Sequence, residues 1–542
     1  MQQKKRPNIL FITCDQLRYD FVHAYGKNDF IQTPHIDALA QNGCLFSNAY
    51  SPNPVCIPAR HNIITGLGAR HHGFDDNYFG SEATACPWQL PTFAQILSDA
   101  GYSTIAIGKM HFQPERRATG FDRFINCDEV VKDVQEDDYA LYLRSQGYGD
   151  VGSMHGVRNI LYMQPQQSIL PEHMHESRWI VDQSIDYLNM RGDRQRPFLM
   201  WVGFIQPHPP FAVPPTKAHV YDGKVPPRTT SITPIPAIAR ESQLPANPMD
   251  EASIQRIREL YSCAVSYVDE QIGRLIEALR EQGELESTLI LFTSDHGEML
   301  GDLDAYQKSM AYDASSKIPM IAYWPAGILP GCVRDEFVDL NDILPTFLDL
   351  AGADYPGNVC LPGESLFTQT PQKDRTLQYI EHQRGSKRWC CLREKRYKYI
   401  HYYGDDDQLF DLDEDPFEKR NLLFGDAGES VLSIRDRLRQ NLVCYEEKYG
   451  LEGYVDNGDF RQYPRYQPVR RFEKNYPCSI KRIRGDTPDF RPLEEDIFEA
   501  IRDERTVHLS RLGIRESLTQ YGGFTDERVD ALLERARIED RY

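Results

Sequence analysis

No stretch of this chain approaches the roughly 20 consecutive apolar residues that cross a bilayer, so no membrane-spanning helix is expected. An excess of positive charge is missing too. Lys and Arg number 61 against 80 Asp and Glu, a formal net charge of -19. Nothing in that balance neutralises phosphates over a broad surface, so neither nucleic acid nor a membrane is an expected partner. A local cationic pocket for a small anion remains compatible with an acidic protein. The 12 cysteines contain no CxxC pair, and Cys390 and Cys391 are adjacent, which suits neither a zinc site nor a simple bridge. Most of them read as reduced, buried thiols of an intracellular protein. No small-residue cleavage site follows the basic start and the short apolar run behind it, so a signal peptide is not read there. The expectation is a cytoplasmic protein, or a periplasmic or secreted one if a leader has been removed. Internal repeats and low-complexity blocks are also lacking.

What is present is alternation. NILFIT at 8–13 is a nearly continuous apolar run, as expected of a strand buried on both faces. Thr33-Pro34 opens a helix over 33–42 that Gly43 stops. Further helices are read at 90–100, 172–190, 250–282 and 338–350. Strands are read at 103–107, 197–204, 288–293 (TLILFT) and 318–324. Strand–helix alternation of this kind predicts an α/β layered domain with a mostly parallel sheet. Pro-rich loops at 206–215 and 225–248 are long enough to carry function or cover a site. After about residue 370 the texture changes to short strands at 376–380, 389–392 and 397–402, then an amphipathic helix at 431–449. The expected division is a large α/β domain at 1–370, which would carry any catalytic site, and a small α+β subdomain at 371–450. A tail at 451–542 would pack on the catalytic domain or a neighbouring subunit, with a charged helix at 526–539.

The chemistry-bearing residues cluster at strand ends. Asp15 follows NILFIT, and Asp295-His296 follows TLILFT. Strand C-termini are where open α/β sheets place ligands, so these three residues suit a divalent-metal site. Gln16 adds an amide oxygen or, equally, a loop-bonding side chain. Cys56-Ile57-Pro58-Ala59-Arg60 places a thiol at a helix start, where the dipole favours an anion, with Arg60 one turn on. Lys109 and His111 follow the strand at 103–107 and are spaced to converge on one anionic group. His208 is held between prolines, which limits its backbone freedom. Lys308 lies thirteen residues after Asp295. His71, His72 and Asn77 lie just after the Cys56–Arg60 segment, at a position suited to substrate contact.

Taken together and in this order, these segments resemble the type I sulfatases of the alkaline-phosphatase superfamily. Cys56, Pro58 and Arg60 match the Cys-x-Pro-x-Arg signature, with Ala59 where Ser is common. Asp15 matches the strand-end metal ligand. Lys109 and His111 match the Gly-Lys-x-His segment, and His208 the Pro-His-x-Pro segment. Residues 294–297 match Ser-Asp-His-Gly, with Lys308 downstream. TPHIDAL at 33–39 and Asp415-Pro416 are weaker echoes. The likeness spans roughly residues 7 to 425. Two departures stand out: Gln16 and His296 replace the Asp and Asn common in the family. That variant also resembles the phosphonate monoester and phosphodiester hydrolase branch.

The resemblance implies an alkaline-phosphatase-like sandwich, a large mostly parallel sheet between helices, with a smaller C-terminal α+β subdomain carrying an antiparallel sheet. It implies a sulfatase acting on sugar, aryl or alkyl sulfate monoesters. Cys56 would be oxidised to formylglycine by a maturation enzyme, and its hydrate would be the nucleophile. One divalent metal is expected on Asp15, Gln16, Cys56, Asp295 and His296, with Ca²⁺ the family's usual ion and Mn²⁺ or Mg²⁺ as alternatives. Arg60, Lys109 and Lys308 would meet the sulfuryl oxygens, His208 with Lys308 would protonate the leaving alcohol, and His111 would take the second hydroxyl proton. His72 and Asn77 would contact substrate. The competing readings are a phosphonate monoester or phosphodiester hydrolase, and a non-catalytic protein that binds sulfated glycans. A homo-oligomer is allowed for.

Overall fold

Asn8–Asp15 (β1) is buried along its whole length, and its side chains divide by pleat. Leu10, Ile12 and Cys14 join one apolar cluster, while Ile9 and Phe11 join another. A strand buried on both faces has no polar side to offer, which is why this segment is continuously apolar. Around it lie Cys44–Tyr50 (β2), Ser103–Gly108 (β3), Arg123–Asn126 (β4), Phe198–Pro207 (β5), Thr288–Ser294 (β6), Lys317–Ile318 (β7), Met320–Tyr323 (β8) and Cys332–Asp339 (β9). The order across the sheet is β4-β3-β5-β1-β6-β8-β2-β7, with β9 paired to β2. β4, β3, β5, β1 and β6 are parallel neighbours. β8 runs antiparallel to β6 and to β2, which returns β2 and β9 to the direction of the central strands. The computed structural model describes residues 6–77, 90–112, 119–131, 134–148, 154–156, 165–241, 251–368, 375–467 and 525–535.

Helices cover both faces. Pro34–Gln41, Glu176–Met190 and Glu251–Glu281 bury their apolar stripes on one side. Cys56–Thr65, Phe93–Asp99 and Ile343–Ala351 do so on the other. No helix among the described residues is long and apolar enough to cross a membrane.

Some expected boundaries are corrected. The helix expected at 338–350 starts later, because Val338 and Asp339 still belong to β9. Asp339 ends the strand by accepting the Asn341 N–H, and Asp342 reaches back to the Asp339 N–H, a reciprocal cap that turns the chain into Ile343–Ala351. The single strand expected at 318–324 is two, β7 and β8, because Pro319 has no N–H to continue a ladder. The helix expected from residue 90 begins at Phe93, where the Thr92 hydroxyl accepts from Gln95 N–H. Residues 172–190 are a 3₁₀ turn followed by a helix capped by His175. The charged helix covers Asp526–Arg535, and residues 536–539 lie outside the described residues.

A second sheet is antiparallel, Gln378–His382 (β10), Trp389–Arg393 (β11), Tyr397–Tyr402 (β12) and Gln408–Asp411 (β13), in that order. Glu429–Tyr449 packs on it through Leu438, Leu442 and Val443. Buried Lys398 of β12 joins this sheet to the segment after β6. Its ammonium pairs with Asp313 at 2.5 Å and Glu418 at 2.6 Å and donates to the Ala311 carbonyl at 2.9 Å. Removing one partner leaves two buried carboxylates uncompensated, which costs about 3–5 kcal/mol. Lys398→Met is therefore expected to lower the denaturant midpoint sharply, and an unchanged midpoint would count against this account.

Candidate metal and hydrolytic site

Six strands deliver the site to one edge. β1 ends in Asp15, β3 leads to Lys109, β5 to His208, β6 to Asp295, β4 to Glu129 and β2 to Cys56. Because all six run the same way, their C-terminal ends converge. Two glycines permit the closest approach. A Cβ at Gly108 would meet the Gly203 carbonyl, and one at Gly203 would meet the Lys109 carbonyl. Without them β3 and β5 could not lie close enough to turn Lys109 inward.

At the centre, Asp15, Cys56, Asp295 and His296 are all buried, and one ligand atom from each lies within 4.8 Å of the others. Cys56 Sγ stands 3.1 Å from His296 Nε2 and 3.8 Å from Asp15 Oδ1. His296 Nδ1–H donates to the Gly297 carbonyl at 3.0 Å, so its Nε2 lone pair faces the cluster. Burial lowers the His296 imidazole below its ordinary value, which keeps it neutral as a ligand must be. Asp295 Oδ1 accepts from the Gln16 and His296 N–H groups. Two carboxylates and an oriented neutral imidazole fit a divalent cation.

Arg60 sits behind the carboxylates. Nε donates to Asp295 at 2.9 Å, and the terminal nitrogens reach Asp15 at 3.4 Å and the Lys109 carbonyl at 2.5 Å. Its guanidinium holds the two acidic residues in place. Lys109 is paired to Asp15 and Glu129. Burial would discharge it, but those two carboxylates hold its ammonium charged. Burial, and then Asp15, push the Cys56 thiol up to about 12.

His208 is oriented by its own loop. Two cis peptide bonds, Gln206–Pro207 and Pro209–Pro210, flank it, and Nδ1–H donates to the Pro209 carbonyl at 2.5 Å. Nε2 then accepts from Lys308 Nζ at 2.8 Å and lies 3.0 Å from Glu129. Burial pushes this imidazole well below its ordinary value, so it is neutral. Lys308 also donates to Gln16 Oε1 at 2.7 Å. The amide oxygen expected on the metal is thus engaged by Lys308, while Gln16 Nε2 donates to Glu298. His111 is buried, with a left-handed backbone at φ 55°.

His72 and Asn77 are placed differently from the other expected residues. His72 Nε2–H donates to Asn62 at 2.8 Å and Nδ1 accepts from Phe74 N–H at 3.1 Å, so both ring nitrogens serve the fold. Asn77 Oδ1 accepts from Ile57 N–H at 2.9 Å, in the first turn of the Cys56 helix. These contacts brace that helix. Half-buried His71 lines a separate cavity and not the cluster. Two participants escape the sequence reading. Glu129 follows the short strand β4, which carries little apolar signal, and Glu298 lies two residues past His296.

Residues 7–353 match the sulfatase family, and residues 301–448 match the C-terminal region of N-sulphoglucosamine sulphohydrolase. An arylsulfatase of Clostridium perfringens is 31% identical over 510 residues, covering 88% of this chain and 100% of that protein. A choline-sulfatase of Rhizobium meliloti is 28% identical, covering 86% and 92%. Among solved structures, a phosphonate monoester hydrolase of Agrobacterium radiobacter superposes with a TM-score of 0.70 at 23% identity, covering 85% of this chain and 100% of that one. Strand-end ligands, the buried Cys56 cluster and the extent of these matches agree: the chain belongs to the sulfatase family.

Proposed function

We propose that the chain hydrolyses sulfate monoesters at this strand-end cluster, with Cys56 as the precursor of the nucleophile. The observation that carries the reading is the buried juxtaposition of Cys56 Sγ with Asp15, Asp295 and His296. Oxidation of Cys56 to the formylglycine aldehyde by a maturation enzyme, followed by addition of water, would place a geminal diol there, one hydroxyl to attack sulfur and a second to expel sulfate. A divalent cation, Ca²⁺ or, with His296 in the set, Mn²⁺ or Mg²⁺, would be held by Asp15, Asp295, His296 and position 56 and supply positive charge to sulfate and nucleophile oxygens.

The protein's own groups do the rest. Arg60 fixes both carboxylates. Lys109, held charged, offsets negative charge on the sulfuryl group. Lys308 and neutral His208 share one hydrogen bond and hold a proton where the leaving oxygen departs. Glu129 holds the Lys109 ammonium in place. His111 is the candidate base for the second hydroxyl. Curated relatives are named for aryl, choline and N-acetylglucosamine 6-O-sulfate substrates, so the acceptor alcohol is the variable part.

Turnover of 4-nitrophenyl sulfate against an aryl phosphonate tests the reading. Sulfate is expected to be the better substrate in kcat/KM, and a preference for the phosphonate would overturn it. Lys308→Ala is expected to lower kcat on an alkyl sulfate by about 10²–10⁴-fold. The same variant should lose far less on 4-nitrophenyl sulfate, whose leaving group needs no proton. Equal losses on both would remove Lys308 from that role.

A further inference from the structure

Cys44 opens β2 and Cys332 opens β9, and in these parallel strands the two residues stand directly opposite one another. Facing residues on neighbouring strands point to the same side of a sheet, and the strands lie about 4.7–4.9 Å apart. That spacing falls within the about 4.4–6.8 Å between Cα atoms that a disulfide spans. In the structure both are free thiols, with their sulfurs 2.8 Å apart. This is closer than unbonded sulfurs rest against each other, and short of the about 2.05 Å of an S–S bond. The backbone holds the pair there. The Cys332 N–H donates to the Gly43 carbonyl at 3.0 Å. Gly331, at φ 72°, turns the chain into β9 in a left-handed conformation that glycine adopts without strain. At Gly43 a Cβ would meet the Ala322 carbonyl, so glycine there lets the start of β2 lie close against β8.

The two thiols differ in access. Cys332 is half-buried and Cys44 is buried. Burial, and then the Cys332 sulfur, push the Cys44 thiol up, which suits it to the second step of an exchange and not the first. We propose that Cys44 and Cys332 form a disulfide that fastens β9 to the sheet, with a small disulfide such as oxidised glutathione as co-reactant. The Cys332 thiolate attacks the reagent's S–S bond, and one reagent thiol leaves. The Cys44 thiolate then attacks the Cys332 sulfur, and the second reagent thiol leaves. The protein gives up two thiol hydrogens and two electrons, and the reagent carries them away as two thiols. β2 is the one strand partner of β9 among the described residues. The bridge joins positions 288 apart in sequence, and closing so long a loop removes much of the unfolded chain's freedom. The pair lies at the strand starts, at the opposite edge of the sheet from Asp15 and Asp295. The inference does not depend on the hydrolytic reading.

Thiol mapping of the full chain tests it. The folded protein is equilibrated with oxidised glutathione, quenched in acid, alkylated in denaturant without reduction and digested. The Cys44 and Cys332 peptides are expected joined, about 2 Da lighter than their summed thiol forms, and separated by dithiothreitol. Mapping by peptide keeps this bridge distinct from oxidation at the exposed Cys360 and Cys444. The Tm of the oxidised protein should exceed that of the reduced protein by about 5 °C or more. Cys332→Ala and, separately, Cys44→Ala should each lose the rise. Full alkylation of both positions after oxidation would overturn the proposal, and this reading on the unsubstituted chain is free of any folding defect in a variant. So would glutathione that stays on Cys332 with Cys44 still a thiol, or linkage of either residue to a different cysteine. A bridge that forms without raising Tm, or a rise that persists in Cys332→Ala, would refute the fastening of β9.

Discussion

Cys56→Ala is expected to abolish sulfate release, lowering kcat by about 10⁴–10⁶-fold, the loss typical when a nucleophile is removed from an otherwise intact site. KM should move much less, because Arg60, Lys109 and Lys308 are held by Asp15, Asp295, Glu129 and Gln16 rather than by the thiol. Ala at this position also tests the fold cheaply. Helix Cys56–Thr65 keeps its Asn77 contact at Ile57 and its Gly66 end, so stability should change little. Mass spectrometry of the active, unsubstituted protein is the companion measurement. The peptide containing residue 56 should be about 18 Da lighter than its encoded form, from loss of sulfur and two hydrogens and gain of oxygen. Full activity from a preparation in which every molecule retains the thiol would falsify the assignment. Cys56→Ser separates the two elements of the idea: a single hydroxyl can attack but cannot collapse to expel sulfate, so at most one turnover is expected.

Chelation is expected to have the second largest effect. Asp15 and Asp295 are both buried and face one another across the cluster. Arg60 and Lys109 offset their charge on one side only. Stripping divalent ions should lower kcat/KM by on the order of 10³-fold, a loss of several kcal/mol at 1.4 kcal/mol per decade. Return of Ca²⁺, Mn²⁺ or Mg²⁺ should restore it, and the rank order reports how strongly His296 weights the set toward transition metals. Stability gives an independent readout. Saturation at 100 times Kd adds about 2.7 kcal/mol, so Tm should rise on metal addition. Asp295→Asn should lose that rise. A chelated protein with undiminished turnover and unchanged Tm would remove the metal from the site.

Much of the fold and of the site is legible in the amino-acid sequence, for reasons that differ by element. β1 and β6 are plain because strands buried on both faces are continuously apolar. Asp15 and Asp295 are legible by position, directly after those strands. β9 is not, because Cys332–Asp339 carries three consecutive charged residues, Arg334-Asp335-Glu336, that break the apolar pattern, and it runs straight into a helix. β4 has only four residues, and its weak signal hides Glu129. Asn77 and His72 lie close in sequence to the nucleophile, which points toward substrate contact. Proximity along the chain does not distinguish a residue that faces substrate from one that braces the helix beneath it.

The burial of Cys56 sets an order of events. Its relative exposure is zero, and Asp15, Asp295 and His296 close around it. These partners come from strands that begin at residues 8 and 288, so the enclosure is incomplete until more than half the chain has been made. A modifying enzyme that needs an accessible thiol has its opportunity on the nascent or unfolded chain. Folding that outruns conversion would trap the protein with its thiol intact, sound in structure and silent in turnover. If Cys56 serves as proposed, the fraction of active molecules in a preparation would record the race between modification and folding.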